Sequence, residues 1–287
     1  PLGARLGTQS IYRPGLAEGV GALRAVARFS LDARKLAVGT TEGAVHVLDA
    51  EALLRGQTST TSAIRQYHQS HQGVVNDLDF HPTSSVVVSA SEDASLHFYD
   101  VSLPALQPIR VLKETHPVRS AAFHPRGDHL LVGTTHAALH IYDVATFNCF
   151  LSPGKMHHQS AITDARWAAD GSCFASCSGG ELKIWDGATC HCAATLSRPH
   201  GGAPLGGVCF SKLAPYYMLT CGADSAVKLW DIRALREASS AGAAAGRGLS
   251  AKAVRVYEGS TQTTAKRVLG FTHDEVRMRL HRMPNAS

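Results

Sequence analysis

The chain has 287 residues, of which 44% are hydrophobic and 18% charged, with a net charge of +5. That length suits one large all-β core, and the modest charge argues against a strongly basic nucleic-acid binder, since the Lys/Arg clusters are only Lys266-Arg267 and the spaced Arg277, Arg279 and Arg282. No apolar run reaches the roughly 18 residues of a membrane span, no signal peptide is evident, and seven irregularly spaced cysteines argue against a disulfide framework and favour a reducing compartment.

In chain order, residues 1–22 are an irregular lead-in dense in breakers (Gly3, Gly7, Pro14, Gly15, Gly19). Alternation then predicts strands over Ala25–Phe29, Lys35–Gly39 and Val45–Asp49, with turns near Asp32 and at Glu42-Gly43. Residues 50–63 read as a polar insertion in an exposed loop. Ile64–Tyr67 reads as an outer strand. Strands follow at Val75–Phe80, Val86–Ser89 and Leu96–Asp100, with His81-Pro82-Thr83 and Glu92-Asp93 as turns. Residues 109–147 repeat this order through Val118–Phe123, Leu130–Thr134 and Leu139–Asp143. Residues 158–196 repeat it again, with Trp167 in the place of Phe80 and Phe123. Residues 200–232 give a fifth copy with Phe210, Leu219–Cys221 and Val227–Asp231. Past Ile232 the pattern weakens. Ser239–Gly248 reads as a mobile loop, Val254–Tyr257 as the outer strand of the fifth sheet, and Thr263–Phe271 and Glu275–Leu280 as the start of a sixth copy.

The third strand of each copy ends in Asp: Asp49, Asp100, Asp143, Asp186 and Asp231, at intervals of 51, 43, 43 and 45 residues. A period of about 40–45 residues closed by Trp-Asp, as at Trp185-Asp186 and Trp230-Asp231, is that of a WD-repeat β-propeller blade. The expected fold is therefore all-β, with blades near 23–63, 64–108, 109–152, 153–196 and 197–257 and a partial sixth over 258–287. The chain begins without Met and nothing closes the sixth copy. It reads as an incomplete fragment of a six- or seven-bladed ring, with a five-blade ring as the alternative.

Within a blade, His71, Ser89, Asp93 and Tyr99 stand where this repeat ties its strands, and His200, Thr220, Asp224 and Trp230 match them in the fifth copy. Buried polar groups must be paired, so such sets are structural. The third copy departs, with His136 in the Asp place and Val132 in the Ser place. The fourth has a shorter turn at Gly179-Gly180. Both are expected to be less rigidly tied. Most of the sixteen histidines fall at one repeat position, on third strands (His46, His97, His140) or in His-Pro turns, and read as structural or exposed. No G-x-S-x-G, P-loop or H-E-x-x-H motif is present, so no enzyme activity and no cofactor are expected. Cys190-His191-Cys192, read as lying on a strand, lacks a second ligand pair at zinc spacing, so no metal site is expected.

The stretch Phe123–Phe150 resembles one blade of the smallest, WD-repeat subunit of cleavage stimulation factor. It has that blade's Val-Gly-Thr-x-His turn (Val132–His136), its Tyr142-Asp143, and its Thr-Phe-x-Cys-Phe tail (Thr146–Phe150). Val47–Leu54, Val74–Thr83, Leu182–Gly187, Phe210–Lys212, Asp224–Trp230 and Gly248–Ser250 are similar to other blades and loops of the same family. The resemblance spans about residues 23–271. It implies a nuclear, non-catalytic scaffold in pre-mRNA 3′-end cleavage and polyadenylation that binds the other subunits, above all the helical-repeat scaffold subunit, and meets RNA through the complex. The family's N-terminal dimerisation region has no counterpart here, so self-association is not expected, nor is membrane association. The repeats by themselves leave open an adaptor of another complex, such as a ubiquitin-ligase substrate receptor or a chromatin component. Partner contacts are expected on the narrow face: Asn76, Arg119 and Thr163 at one position of the inner strand, and Glu92 and Thr135 before the tight turns. Arg119 suits an acidic or phosphorylated partner.

Overall fold

Short alternating segments between turn-forming residues build twenty strands in the computed structural model, which describes residues 26–55, 63–67, 70–153, 156–241 and 252–258. The expected lead-in, the Thr58–Ser62 insertion and the sixth copy beyond Glu258 lie outside the described residues, as does most of Ser239–Gly248. The strands form five four-stranded antiparallel sheets, each built from consecutive strands. The first holds β1 (Val26–Phe29), β2 (Lys35–Gly39), β3 (Val45–Asp49) and β4 (Ala63–Tyr67). The second holds β5 (Val75–Phe80), β6 (Val86–Ser91), β7 (Ser95–Asp100) and β8 (Arg110–Lys113). The third holds β9 (Val118–Phe123), β10 (His129–Thr134), β11 (Leu139–Asp143) and β12 (Cys149–Leu151). The fourth holds β13 (Ile162–Trp167), β14 (Cys173–Ser178), β15 (Glu181–Asp186) and β16 (Cys192–Ser197), and the fifth β17 (Leu205–Phe210), β18 (Tyr217–Gly222), β19 (Ala226–Asp231) and β20 (Arg255–Glu258). The outer strands β4, β8, β16 and β20 run past the expected blade ends at 63, 108, 196 and 257.

Two compact units result, one through Lys113 with the first two sheets and one from Glu114 with the other three. In the first, Val45, Val47, Tyr67, Leu78, Val87 and Tyr99 form the core. In the second, Leu131, Leu139, Ile162, Phe174 and Trp185 pack together, with Phe174 and Trp185 stacked at 5.7 Å. A further cluster joins Leu182, Leu205, Val208 and Trp230. Each such side chain contributes about 1.5–3 kcal/mol when buried.

Two helices depart from the sequence expectation of loops. α1 (Ala50–Leu54) starts where the Asp49 carboxylate accepts from the amides of Glu51 and Ala52, which satisfies donors that a first turn leaves open. α2 (Ile232–Ala241) follows β19 directly. Its Ala-, Leu- and Arg-rich start favours helix, and Ile232 and Leu235, one turn apart, are buried. The Arg236 guanidinium reaches Asp186 at 3.3 Å. The expected mobile loop from Ser239 thus begins inside a helix. Among the described residues no helix is long and apolar enough to cross a membrane.

Candidate protein-interaction site

The second and fifth sheets each carry a polar chain of the same kind. His71 Nδ1 lies 3.0 Å from Asp93 Oδ2, and its Nε2 lies 2.6 Å from Ser89 Oγ. Asp93 also accepts from the amides of Gln72 (2.8 Å) and Ser95 (3.0 Å). A carboxylate only accepts, so Nδ1 carries the proton and Nε2 accepts from the serine hydroxyl. Burial pushes His71 below its ordinary range, so the ring is neutral. Burial opposes ionisation of Asp93, but hydrogen bonds from Ser95 and Gln72, with His71, hold it below the usual carboxylate range. Tyr99 donates to Ser70 Oγ at 2.8 Å and is pushed up to about 12 by burial. In the fifth sheet Trp230 Nε1 donates to Thr220 Oγ1 at 2.8 Å, Thr220 Oγ1 lies 2.8 Å from His200 Nε2, and His200 Nδ1 lies 2.8 Å from Asp224.

The fourth sheet is tied as completely, contrary to the expectation from its short turn. His158 Nδ1 meets Glu181 Oε2 at 2.8 Å, His158 Nε2 meets Ser176 Oγ at 2.6 Å, and Trp185 Nε1 donates to the same oxygen at 2.8 Å. Shortening the turn moves the acid from the turn to the first residue of β15, and the longer glutamate restores the reach.

The third sheet is also tied, by an inverted set. Glu114 occupies the place of His71, and its Oε1 accepts from Tyr142 at 2.6 Å and lies 3.0 Å from His140 Nδ1. His136 keeps part of the missing aspartate's role, since its Nδ1 accepts from the Ala138 amide at 3.2 Å.

Of the residues expected to meet a partner, Asn76, Arg119 and Thr163 occupy a position that alternation alone does not reveal. On β5, Val75 pairs with Ser91 and Asp77 with Ala90, which leaves Asn76 as an extra residue between two pairs. The same shift isolates Arg119 on β9, Thr163 on β13 and Gly206 on β17. Such β-bulges re-aim a side chain out of the ladder and gather at functional sheet ends. Asn76 Nδ2 donates to Glu92 Oε2 at 3.0 Å, which brings two expected contact residues together in the first unit. In the second unit Thr163 Oγ1 turns inward to the Cys177 carbonyl at 3.2 Å. The Thr135 N–H donates to the carbonyl oxygen of Pro117, two residues before Arg119, at 2.9 Å and fixes Thr135 at the start of its turn. Asn76, Glu92, Arg119, Thr135 and Thr163 are all half-buried. Gly206 gives the fifth sheet no side chain there.

Asp164, two residues past Ile162, carries no motif in the sequence that marks its role. Its carboxylate accepts from the Val208 amide of the next sheet at 3.1 Å and pairs with Arg166 at 3.0 Å. Cys190 lies in a turn with φ of +55° rather than on a strand, and β16 begins at Cys192. Among the described residues no three His, Cys, Asp or Glu side chains are grouped to hold a metal ion.

The sequence matches the WD domain, G-beta repeat, family at residues 62–100, 106–143, 151–186 and 190–231, more than half of the chain. It is 33% identical over 194 residues to "Cleavage stimulation factor subunit 50" of Arabidopsis thaliana, covering 65% of this chain and 45% of that protein. The chain thus spans less than half the length of that relative. Among solved structures it is similar to a chain of the mitotic checkpoint complex, with a TM-score of 0.62 and 20% identity, over 75% of this chain and 63% of the other. At that identity the likeness is one of fold.

Proposed function

As the chain belongs to the WD40-repeat family, we propose that it is a non-catalytic scaffold, and that the complex it serves is the cleavage stimulation complex of nuclear pre-mRNA 3′-end cleavage and polyadenylation. The choice of complex rests on the 33% identity to the plant subunit together with the blade-specific Val132–His136 turn and Thr146–Phe150 tail. The scaffold reading is supported by the bulges: the expected inner-strand contacts Asn76, Arg119 and Thr163 are each the extra residue of their strand. In this reading Arg119, at such a bulge, meets an acidic or phosphorylated segment of another subunit, with Asn76, Glu92, Thr135 and Thr163 as further contacts. The main partner is the helical-repeat scaffold subunit, and RNA is met through the complex.

Capture from nuclear extract on the tagged chain tests this. The other cleavage stimulation subunits should be recovered, and Arg119→Glu should reduce that recovery severalfold while the circular dichroism and melting midpoint stay those of the parent. Recovery of cullin or histone complexes instead would overturn the choice of complex. Undiminished capture by the Arg119→Glu protein would overturn the contact.

A further inference from the structure

A polar cavity of about 320 Å³ opens where three turns of the second unit meet. The segment before β13 supplies Gln159 and Ser160, the β14–β15 turn Gly180, and the segment between β16 and β17 Ser197, Arg198 and Gly202. Buried Ser178 ties the first two together. Its hydroxyl donates to the Ser160 carbonyl at 2.7 Å, and the Ser160 hydroxyl lies 2.8 Å from Ser178 Oγ. The Arg198 amide joins the third by donating to the Gly180 carbonyl at 2.9 Å. A Cβ on Gly180 would come within 3.5 Å of the Gly202 carbonyl oxygen, so the two turns approach closely. The cavity is thus held in shape by hydrogen bonds among its own walls, which lowers the ordering cost of binding.

The charge at this cavity is unbalanced. The Arg198 side chain is exposed, and among the described residues no carboxylate pairs with it. Glu181 also lines the cavity, but its charge is already engaged. Its Oε2 meets His158 Nδ1 at 2.8 Å and its Oε1 lies 3.6 Å from Lys183 Nζ. Lys183 offsets Glu181, and the Arg198 guanidinium remains in surplus. The cavity adjoins an expected contact residue, because Thr163 Oγ1 bonds to the carbonyl of Cys177, the neighbour of Ser178.

We propose that this cavity seats a phosphorylated serine or threonine side chain of a partner segment, with Arg198 as its ion-pair partner. The proposal rests on the reading of the Arg119 and Thr163 positions as a partner surface and adds a second anchor to it. A phosphoryl group carries a charge of about −1.5 to −2 and three acceptor oxygens. A guanidinium engages two such oxygens in parallel. The Ser197 hydroxyl and the Gln159 amide, both exposed at the rim, are further donors. A carboxylate brings less charge and one oxygen fewer. Single-stranded RNA is seated by aromatic stacking, and no lining residue is aromatic.

The test measures, by fluorescence anisotropy, binding of the native chain to three pools of short peptides of mixed sequence. The fixed central residue is phosphoserine, serine or glutamate. The phosphoserine pool should bind at least about tenfold more tightly than the serine pool, the worth of one charge-assisted hydrogen bond. Arg198→Gln should bring the two pools within about twofold of each other, and Arg198→Lys should restore part of the difference. Equal affinity for the phosphoserine and serine pools would overturn the proposal, as would a preference that survives Arg198→Gln. A glutamate pool as tight as the phosphoserine pool would overturn the phosphoryl assignment, and tighter binding of a labelled uridine oligomer would overturn the peptide one. The comparison of pools on the native chain needs no variant, so a folding defect leaves the test intact. No cleavage stimulation subunit is present in it, so its failure and a failed capture from nuclear extract are separate results.

Discussion

Ser176→Ala is the sharpest probe of the fourth-sheet tie. The Ser176 hydroxyl is fully buried, accepts from Trp185 Nε1 at 2.8 Å and lies 2.6 Å from His158 Nε2. The Trp185 residue and the His158 side chain are also inaccessible. Losing one oxygen strands an indole N–H and an imidazole nitrogen together, and each buried group left unpaired costs about 1–3 kcal/mol. The expected loss is therefore about 2–6 kcal/mol. Urea unfolding followed by tryptophan fluorescence measures it, and amide exchange should show protection falling in β14 and β15 before β18 and β19. The third sheet supplies the control. Val132 already fills the equivalent place while Glu114 satisfies Tyr142 and His140, so Val132→Ser should destabilise, by about 1–3 kcal/mol, through a buried hydroxyl with no partner provided. A Ser176→Ala midpoint within about 0.5 kcal/mol of the parent, with protection unchanged, would refute the pairing argument.

Acid should weaken the fold through its neutral histidines. Burial holds His71, His158 and His200 below their ordinary range and pushes His97 down to about 4, so the unfolded chain binds these protons first. Their contribution is complete above about 6.5 and is lost as pH falls, to about 4 for His97; His97→Gln should flatten that slope in urea midpoints. His140 has the opposite sign: raised to about 9, it stabilises fully below about 6.5 and loses that effect as pH climbs through 9, so His140→Gln should flatten the alkaline limb. Gly43→Ala should cost about 2 kcal/mol or more by thermal melting, because φ is +79° and a Cβ would strike the His71 carbonyl oxygen. Asp164→Ala should cost about 3 kcal/mol by urea unfolding, since it orphans the Val208 amide and the Arg166 guanidinium.

The strands were legible because period-two alternation and turn residues are local signals. So were the His71 and His200 sets, where residue types and spacing repeat together. What escaped is non-local or compensated. The bulges at Asn76, Arg119 and Thr163 arise from pairing register between strands, and a single strand carries no mark of them. Helix α2 arises because Ile232 and Leu235 find a buried surface beside β16 and β19, while its own residues also suit a loop. Glu181 is not legible because a one-residue deletion moves the acid out of its turn, and Glu114 because it stands at the repeat's histidine position.

These departures point to a rule about chemistry rather than residue identity. Each of the second to fifth sheets keeps an imidazole, a carboxylate and a third polar group in contact, but the protonation differs. In three of them the imidazole is neutral, because burial outweighs its carboxylate. In the third sheet the acid moves inward, to 4% exposure, and the imidazole outward, to 13%. Glu114 then stays ionised despite its burial, because His140 and Tyr142 hydrogen-bond to it. The His140 ring, raised to about 9, is left positive at neutral pH. A substitution that looks like decay of a structural motif therefore changes the sign of one site's response to pH.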